Sequence, residues 1–216
     1  MKGRDFVNRK IMIVGRSGCG KDTVAACLTK NFGLKQLIST TTRPPRYTGE
    51  ATHVFVSEKE ANEMTDRVAE TVINGYQYFA TKQQFAECDV YTIDPKGLSD
   101  VCVRASEEEL CVVYVSASKS VRQKRAIDRA EDKEEAKRVF DARHNDENRM
   151  FSEFERLIEG NDLSEFHKTY PTVGCIIIVN NDKGTLSAVN KKSELVMMYA
   201  NQIDMGEMFG PYKHSI

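Results

Sequence analysis

Charge of one sign is what the sequence does without: 31 lysines and arginines stand against 32 aspartates and glutamates, a formal net charge of −1. That balance supplies no global field to recruit nucleic acid or an anionic membrane, so any anion site must be local. Long apolar runs are missing too. The longest, residues 175–179, is far too short to span a bilayer, and the first residues lack the apolar core of a signal peptide. The six cysteines (19, 27, 88, 102, 111 and 175) form no Cys-x-x-Cys pair and have no histidine at zinc-ligand spacing. Buried free thiols in a reducing cytosol are the reading that follows. With no internal repeat and no low-complexity tract, 216 residues suffice for one domain with insertions, expected to be soluble and cytoplasmic.

What is present is organised around residues 11–25. A β-branched apolar run at 11–14 reads as a buried strand. A loop follows with glycines at Gly15, Gly18 and Gly20, and then a segment with helical apolar spacing. This is the setting of a phosphate-binding loop: glycines let backbone N–H groups converge on an anion, the helix N-terminus adds partial positive charge, and Lys21 can reach the outer phosphates of a nucleotide. Arg16, Ser17 and Cys19 complete the loop. Where such loops carry a Ser or Thr for Mg²⁺, this chain has Asp22. Either Thr23 or a water ordered by Asp22 takes the metal contact, or Asp22 is a first-turn acid stabilised by the helix dipole, the reading favoured here.

Helix is expected over 21–32, stopped by Gly33, and a short strand over 35–38. The segment 39–50, with Arg43-Pro44-Pro45-Arg46, suits neither helix nor central strand, and its two arginines on a stiff loop can clamp a second anion. Beyond it the pattern suggests a small lobe: a strand at 53–56, a helix over 57–64, strands within 68–78 and a helix opening near Thr81. Core strands follow at 89–93, ending on Asp94, then at 110–115 and 175–179. Helices are expected over 116–129 and 186–203. Residues 122, 125 and 129 place three arginines along one helix face, and the charged run 129–138 reads largely as a solvated, ion-paired helix.

The order strand, glycine loop, helix, Ser39-Thr40-Thr41-Thr42-Arg43-Pro44-Pro45-Arg46, Gly49-Glu50, then Phe55-Val56-Ser57 resembles the guanylate kinase family of nucleoside monophosphate kinases. The spacing of Glu70 to Thr81, the stretch Val90 to Gly97 around Asp94, and the turn at Asn180-Asn181-Asp182 are similar to that family in register. The resemblance implies an α/β P-loop NTPase fold: a three-layer sandwich on a mainly parallel sheet, with an inserted nucleotide-monophosphate-binding lobe and a short lid. One domain over 1–204 would comprise the core (1–42 and 89–204), the lobe (about 43–88) and the lid (about 125–138), followed by a tail at 205–216.

It also implies ATP and Mg²⁺ as cofactors, small-molecule nucleotides as partners, and phosphoryl transfer to GMP or dGMP. Residues 15–23 and Asn180 would hold ATP, with Thr23 and Asp94 toward the metal, directly or through water. Ser39, Arg43, Arg46, His53, Glu70, Phe79, Thr81, Thr92 and Asp94 would line the acceptor site, Glu70 reading guanine. Lys21, Arg43, Arg125, Arg129 and Arg138 would serve the transferring group. His53 and Phe79 stand where the family has phosphate-binding tyrosines, and Thr92 where it has an aspartate. Those departures keep open another deoxynucleotide or a phosphorylated sugar as acceptor. A non-catalytic binding module is the third reading, ranked last because the loop, Lys21 and the lid arginines are retained.

Overall fold

The computed structural model describes residues 9–45, 47–73, 75–160, 163–182, 186–200 and 212–215. Its core is a parallel sheet of β1 (Lys10–Val14), β6 (Val90–Ile93), β7 (Leu110–Ser116), β8 (Val173–Asn180) and β9 (Tyr212–Ser215), ordered β6-β1-β7-β8-β9. Largely apolar runs form β1, β6, β7 and β8 because helices cover both faces. Ile11 and Ile13 point to one side, against α1 (Lys21–Phe32) and α8 (Leu186–Ala200). Met12 and Val14 point to the other, against α4 (Pro95–Arg104), α6 (Lys133–Glu159) and α7 (Ser164–Thr169). Three layers result, as the resemblance implies.

The inserted lobe is a second sheet, ordered β3-β2-β5-β4, from β2 (Thr40–Thr41), β3 (Val54–Phe55), β4 (Arg67–Ile73) and β5 (Tyr76–Thr81), with α2 (Glu58–Glu63) and α3 (Lys82–Ala86). Both short helices open on reciprocal capping boxes, Ser57 with Glu60 and Thr81 with Gln84, which is why six and five residues suffice. Asp94 locks lobe to core: its Oδ1 accepts from Gly97 N–H at 3.0 Å, capping α4, and its Oδ2 accepts from the Thr71 hydroxyl at 2.8 Å.

Four expectations are corrected. The strand over 35–38 reduces to one bridge, Gln36 to Val90, and the strand forms later, at Thr40–Thr41. These β-branched residues lie ahead of the prolines and pair with Val54, Phe55, Tyr78 and Phe79. The helix expected from 116 begins at Lys119, leaving α5 as Lys119–Asp128, because Ser116 still pairs with Asn180 in the sheet. The segment expected as a lid, about 125–138, is divided between the end of α5, a short connection and the start of α6 (Lys133–Glu159). In the supposed tail, Tyr212–Ser215 adds β9 to the edge of β8; the end of the last expected helix, 201–203, lies outside the described residues.

If the Asp94 carboxylate is the lock, Asp94→Ala should destabilise the protein by about 1–3 kcal/mol in urea denaturation. Asp94→Asn, which can still cap, should lose less than half of that. Equal losses would show that the cap contributes nothing.

Candidate functional site

The turn from β1 into α1 is forced by local geometry. Gly18 and Gly20 adopt φ of 78° and 102°, left-handed values that side chains resist. A Cβ on Gly20 would also collide with Asn181 Nδ2, and one on Gly15 with Val115 O. No side chain caps α1, so its first-turn N–H groups stay open to an anion.

The loop turns its carbonyls the other way, onto protein donors. Arg122 Nη1 donates to Ser17 O at 3.3 Å, and Arg125 Nη1 to Gly18 O and Cys19 O at 3.1 Å each. Asn181 Nδ2 donates to Cys19 O at 2.7 Å, while Arg125 Nη2 reaches Asn181 O at 2.6 Å. Lys21 Nζ donates to Arg16 O at 3.2 Å. Asp22 and Thr23 are exposed in the first turn.

A second network ties the loop to α6. Both carboxylate oxygens of Glu155 accept from Arg16 (Nε and Nη2, 2.7 Å each), Tyr114 Oη adds 2.5 Å, and Arg16 Nη1 reaches Asn148 at 2.6 Å. Glu147 accepts from Ser17 N–H at 2.8 Å and lies 3.5 Å from buried Arg122. Arg16, Cys19, Tyr114, Arg122 and Glu155 line a cavity of about 110 Å³.

The structure brings only part of the expected set together. Arg16 contributes its backbone to the loop while its side chain serves Glu155. Asn181, not Asn180, reaches the loop; Asn180 is exposed and accepts from Asp182 N–H at 3.1 Å. Of the lid arginines only Arg125 touches the loop. Arg129 is exposed, with Nε on Arg125 O at 2.8 Å, and Arg138 pairs with Glu135 at 2.6 Å while 79% exposed.

In the lobe, Arg43 is buried and forked onto Glu50 at 2.9 and 3.3 Å, above the Phe55 ring at 5.2 Å. Ser39 Oγ lies 3.0 Å from His53 Nδ1, and His53 packs edge-on to Tyr78. Arg46 lies outside the described residues. Glu70, Phe79 and Thr81 face the opposite side of the hairpin: Glu70 binds Arg67 (3.1 Å) and Arg104 (2.9 Å), Phe79 lies under Arg67 (4.0 Å), and Thr81 caps α3. The Arg104 hydrogen bond leads the contributions holding Glu70 below the usual carboxylate range. Thr92 in β6 has a buried hydroxyl without a hydrogen-bond partner among the described residues.

Asn181, Arg122, Glu147, Glu155 and Tyr114 are the loop's supports that sequence reasoning missed. Arg122 was marked by its spacing to Arg125. Glu147 and Glu155 lie in α6 beyond the charged run 129–138, where no sequence motif marked them. Among the described residues no group of three His, Cys, Asp or Glu side chains is arranged to hold a metal.

Burial alone would raise the Glu155 carboxyl, but Arg16 and Tyr114 outweigh it and hold it below the ordinary range. A depressed carboxylate stabilises the fold above its unfolded pKa, near 4.3, and that share vanishes as pH falls through the folded value. Melting curves from pH 7 to 3 should therefore decline more steeply for the wild type than for Glu155→Gln; parallel declines would contradict the pairing.

The guanylate kinase family model matches residues 7–173. Among solved structures, the guanylate kinase from Anaplasma phagocytophilum aligns over 98% of this chain and 100% of its own, with a TM-score of 0.54 and 12% identity. An uncharacterized protein from Eubacterium ventriosum aligns over 90% and 100%, with a TM-score of 0.44 and 14% identity. No curated protein matches the sequence. The likeness to the first structure is one of fold, while the family model spans most of the chain: the protein belongs to the guanylate kinase family.

Proposed function

We propose that the chain transfers the terminal phosphoryl group of ATP to the phosphate of a monophosphate acceptor. The observation that carries this reading is the loop whose carbonyls from residues 16–19 are all engaged by protein donors, leaving the open start of α1 as an anion cradle. A polyphosphate fits that cradle, and Lys21 supplies a cation on a flexible stem.

Such a reaction needs no strong base, because the attacking phosphate oxygen is already anionic. It needs two charged phosphates aligned and their repulsion cancelled. Arg43, His53 and Tyr78 are the lobe's candidates for the acceptor phosphate. Arg125 acts as a positioning residue that holds the loop's carbonyls, and Arg129 and Arg138 stand on either side of the short connection between α5 and α6. Mg²⁺ bound with the nucleotide would neutralise charge on the donor phosphates. Thr23 and Asp94 offer oxygens toward it, although both oxygens of Asp94 already accept hydrogen bonds from Gly97 and Thr71.

GMP or dGMP as acceptor, the finer assignment implied by the family, depends on Glu70 and Thr81, which serve other contacts here. Six buried cysteines, none of them in a disulfide, fit a reducing, cytoplasmic setting. No helix among the described residues is long and apolar enough to cross a membrane.

Lys21→Ala should reduce ATP-dependent ADP release by about 100-fold or more with an unchanged melting temperature. Near-normal turnover would refute the loop's assignment.

A further inference from the structure

The acceptor lobe sorts its side chains by strand alternation. Partners opposite each other in an antiparallel ladder share a face, and neighbours along a strand alternate. Ala69 stands opposite Ala80 and Thr71 opposite Tyr78, so these four share one face; Glu70 and Phe79, opposite each other, share the other. Contacts identify the inner face independently. Thr71 donates to Asp94, and Ala69 Cβ lies 3.7 Å from where a Cβ on Gly97 of α4 would stand. His53, 5.5 Å from Tyr78 between ring centres, belongs to the same side.

Selecting guanine requires an acceptor-only group that takes both the N1–H and the exocyclic amine. Where the hairpin meets the core it offers instead Ala69 and Ala80, 1% and 0% exposed. The two carboxylates on this side are committed, Glu50 to Arg43 and Thr52, Asp94 to Gly97 and Thr71. Glu70, on the outer face, holds two guanidinium groups. What the inner face presents is phosphate and hydroxyl chemistry: Arg43, held in place by Glu50, the Ser39–His53 pair and the Tyr78 phenol.

We infer that this site takes a pentose phosphomonoester through its phosphate and sugar hydroxyls, without selecting guanine, and that Tyr78 is its phenolic phosphate ligand. The inference rests on the phosphoryl-transfer reading above. In the step itself, an acceptor phosphate oxygen forms a new P–O bond to the γ-phosphorus of ATP as the bond to the β-bridging oxygen breaks. ADP and a diphosphate ester are the products, and no outside oxidant, reductant or base is consumed.

The test is ADP release from ATP and Mg²⁺ with GMP, AMP, CMP and ribose 5-phosphate, for the wild type, Tyr78→Phe and Glu70→Gln. The four acceptors should have kcat/KM values within about tenfold of one another. Tyr78→Phe should raise KM for all of them by about tenfold, the worth of one hydrogen bond to a charged phosphate, with kcat little changed. Glu70→Gln should leave the ratio of GMP to AMP where it was. A preference for GMP over AMP of about 100-fold or more that collapses in Glu70→Gln would overturn the inference while leaving the kinase reading intact. ADP release with none of the acceptors would overturn the kinase reading itself.

Discussion

The carbonyls of the loop between β1 and α1 must each meet a donor, and the rest of this structure depends on how that is done. A buried carbonyl without a donor costs about 1–3 kcal/mol, and the loop between β1 and α1 turns several inward. Arg122, Arg125 and Asn181 meet them, from α5 and from the turn after β8. Those elements are therefore fixed relative to the loop. Arg16 and Ser17 fix a third, α6, through Glu155 and Glu147. The left-handed backbone at Gly18 and Gly20 is open to the loop because neither residue carries a Cβ.

This arrangement changes the meaning of the arginine-rich segment. Arginines along a helix next to a phosphate site read naturally as groups aimed at the transferring phosphoryl. Here the first two donate to the loop's own carbonyls. Arg122 is 3% exposed and Arg125 is half-buried, whereas Arg129 and Arg138 project into solvent. The gradient from buried to exposed separates the arginines that hold the loop from those that pair elsewhere.

Periodicity and punctuation made much of the fold legible. The apolar run at 11–14 and Gly33 after α1 each carry a local cause, and each element lies where that cause puts it. The weaker readings were those decided by distant partners. β2 forms because Val54 and Phe79 are there to pair with, and β9 because β8 has a free edge. The site shows the same division. Loop glycines and Lys21 could be read directly, whereas Glu70 and Phe79 were assigned by spacing, and spacing does not fix a face. In a strand one residue of register moves a side chain to the other side of the sheet. The eleven-residue separation of Glu70 and Thr81 survives while both residues lie on the face of the hairpin away from Asp94. Asn180 and Asn181 differ by the same single step.

The central claim is that the loop is an anion cradle held open from behind. Equilibrium binding of ATP to Gly20→Ala, with circular dichroism to confirm the fold, tests it most directly. A methyl there meets Asn181 and opposes a φ of 102°. The account predicts that ATP binding falls by about 100-fold or more while the fold persists. Undiminished binding to a folded Gly20→Ala variant would contradict it.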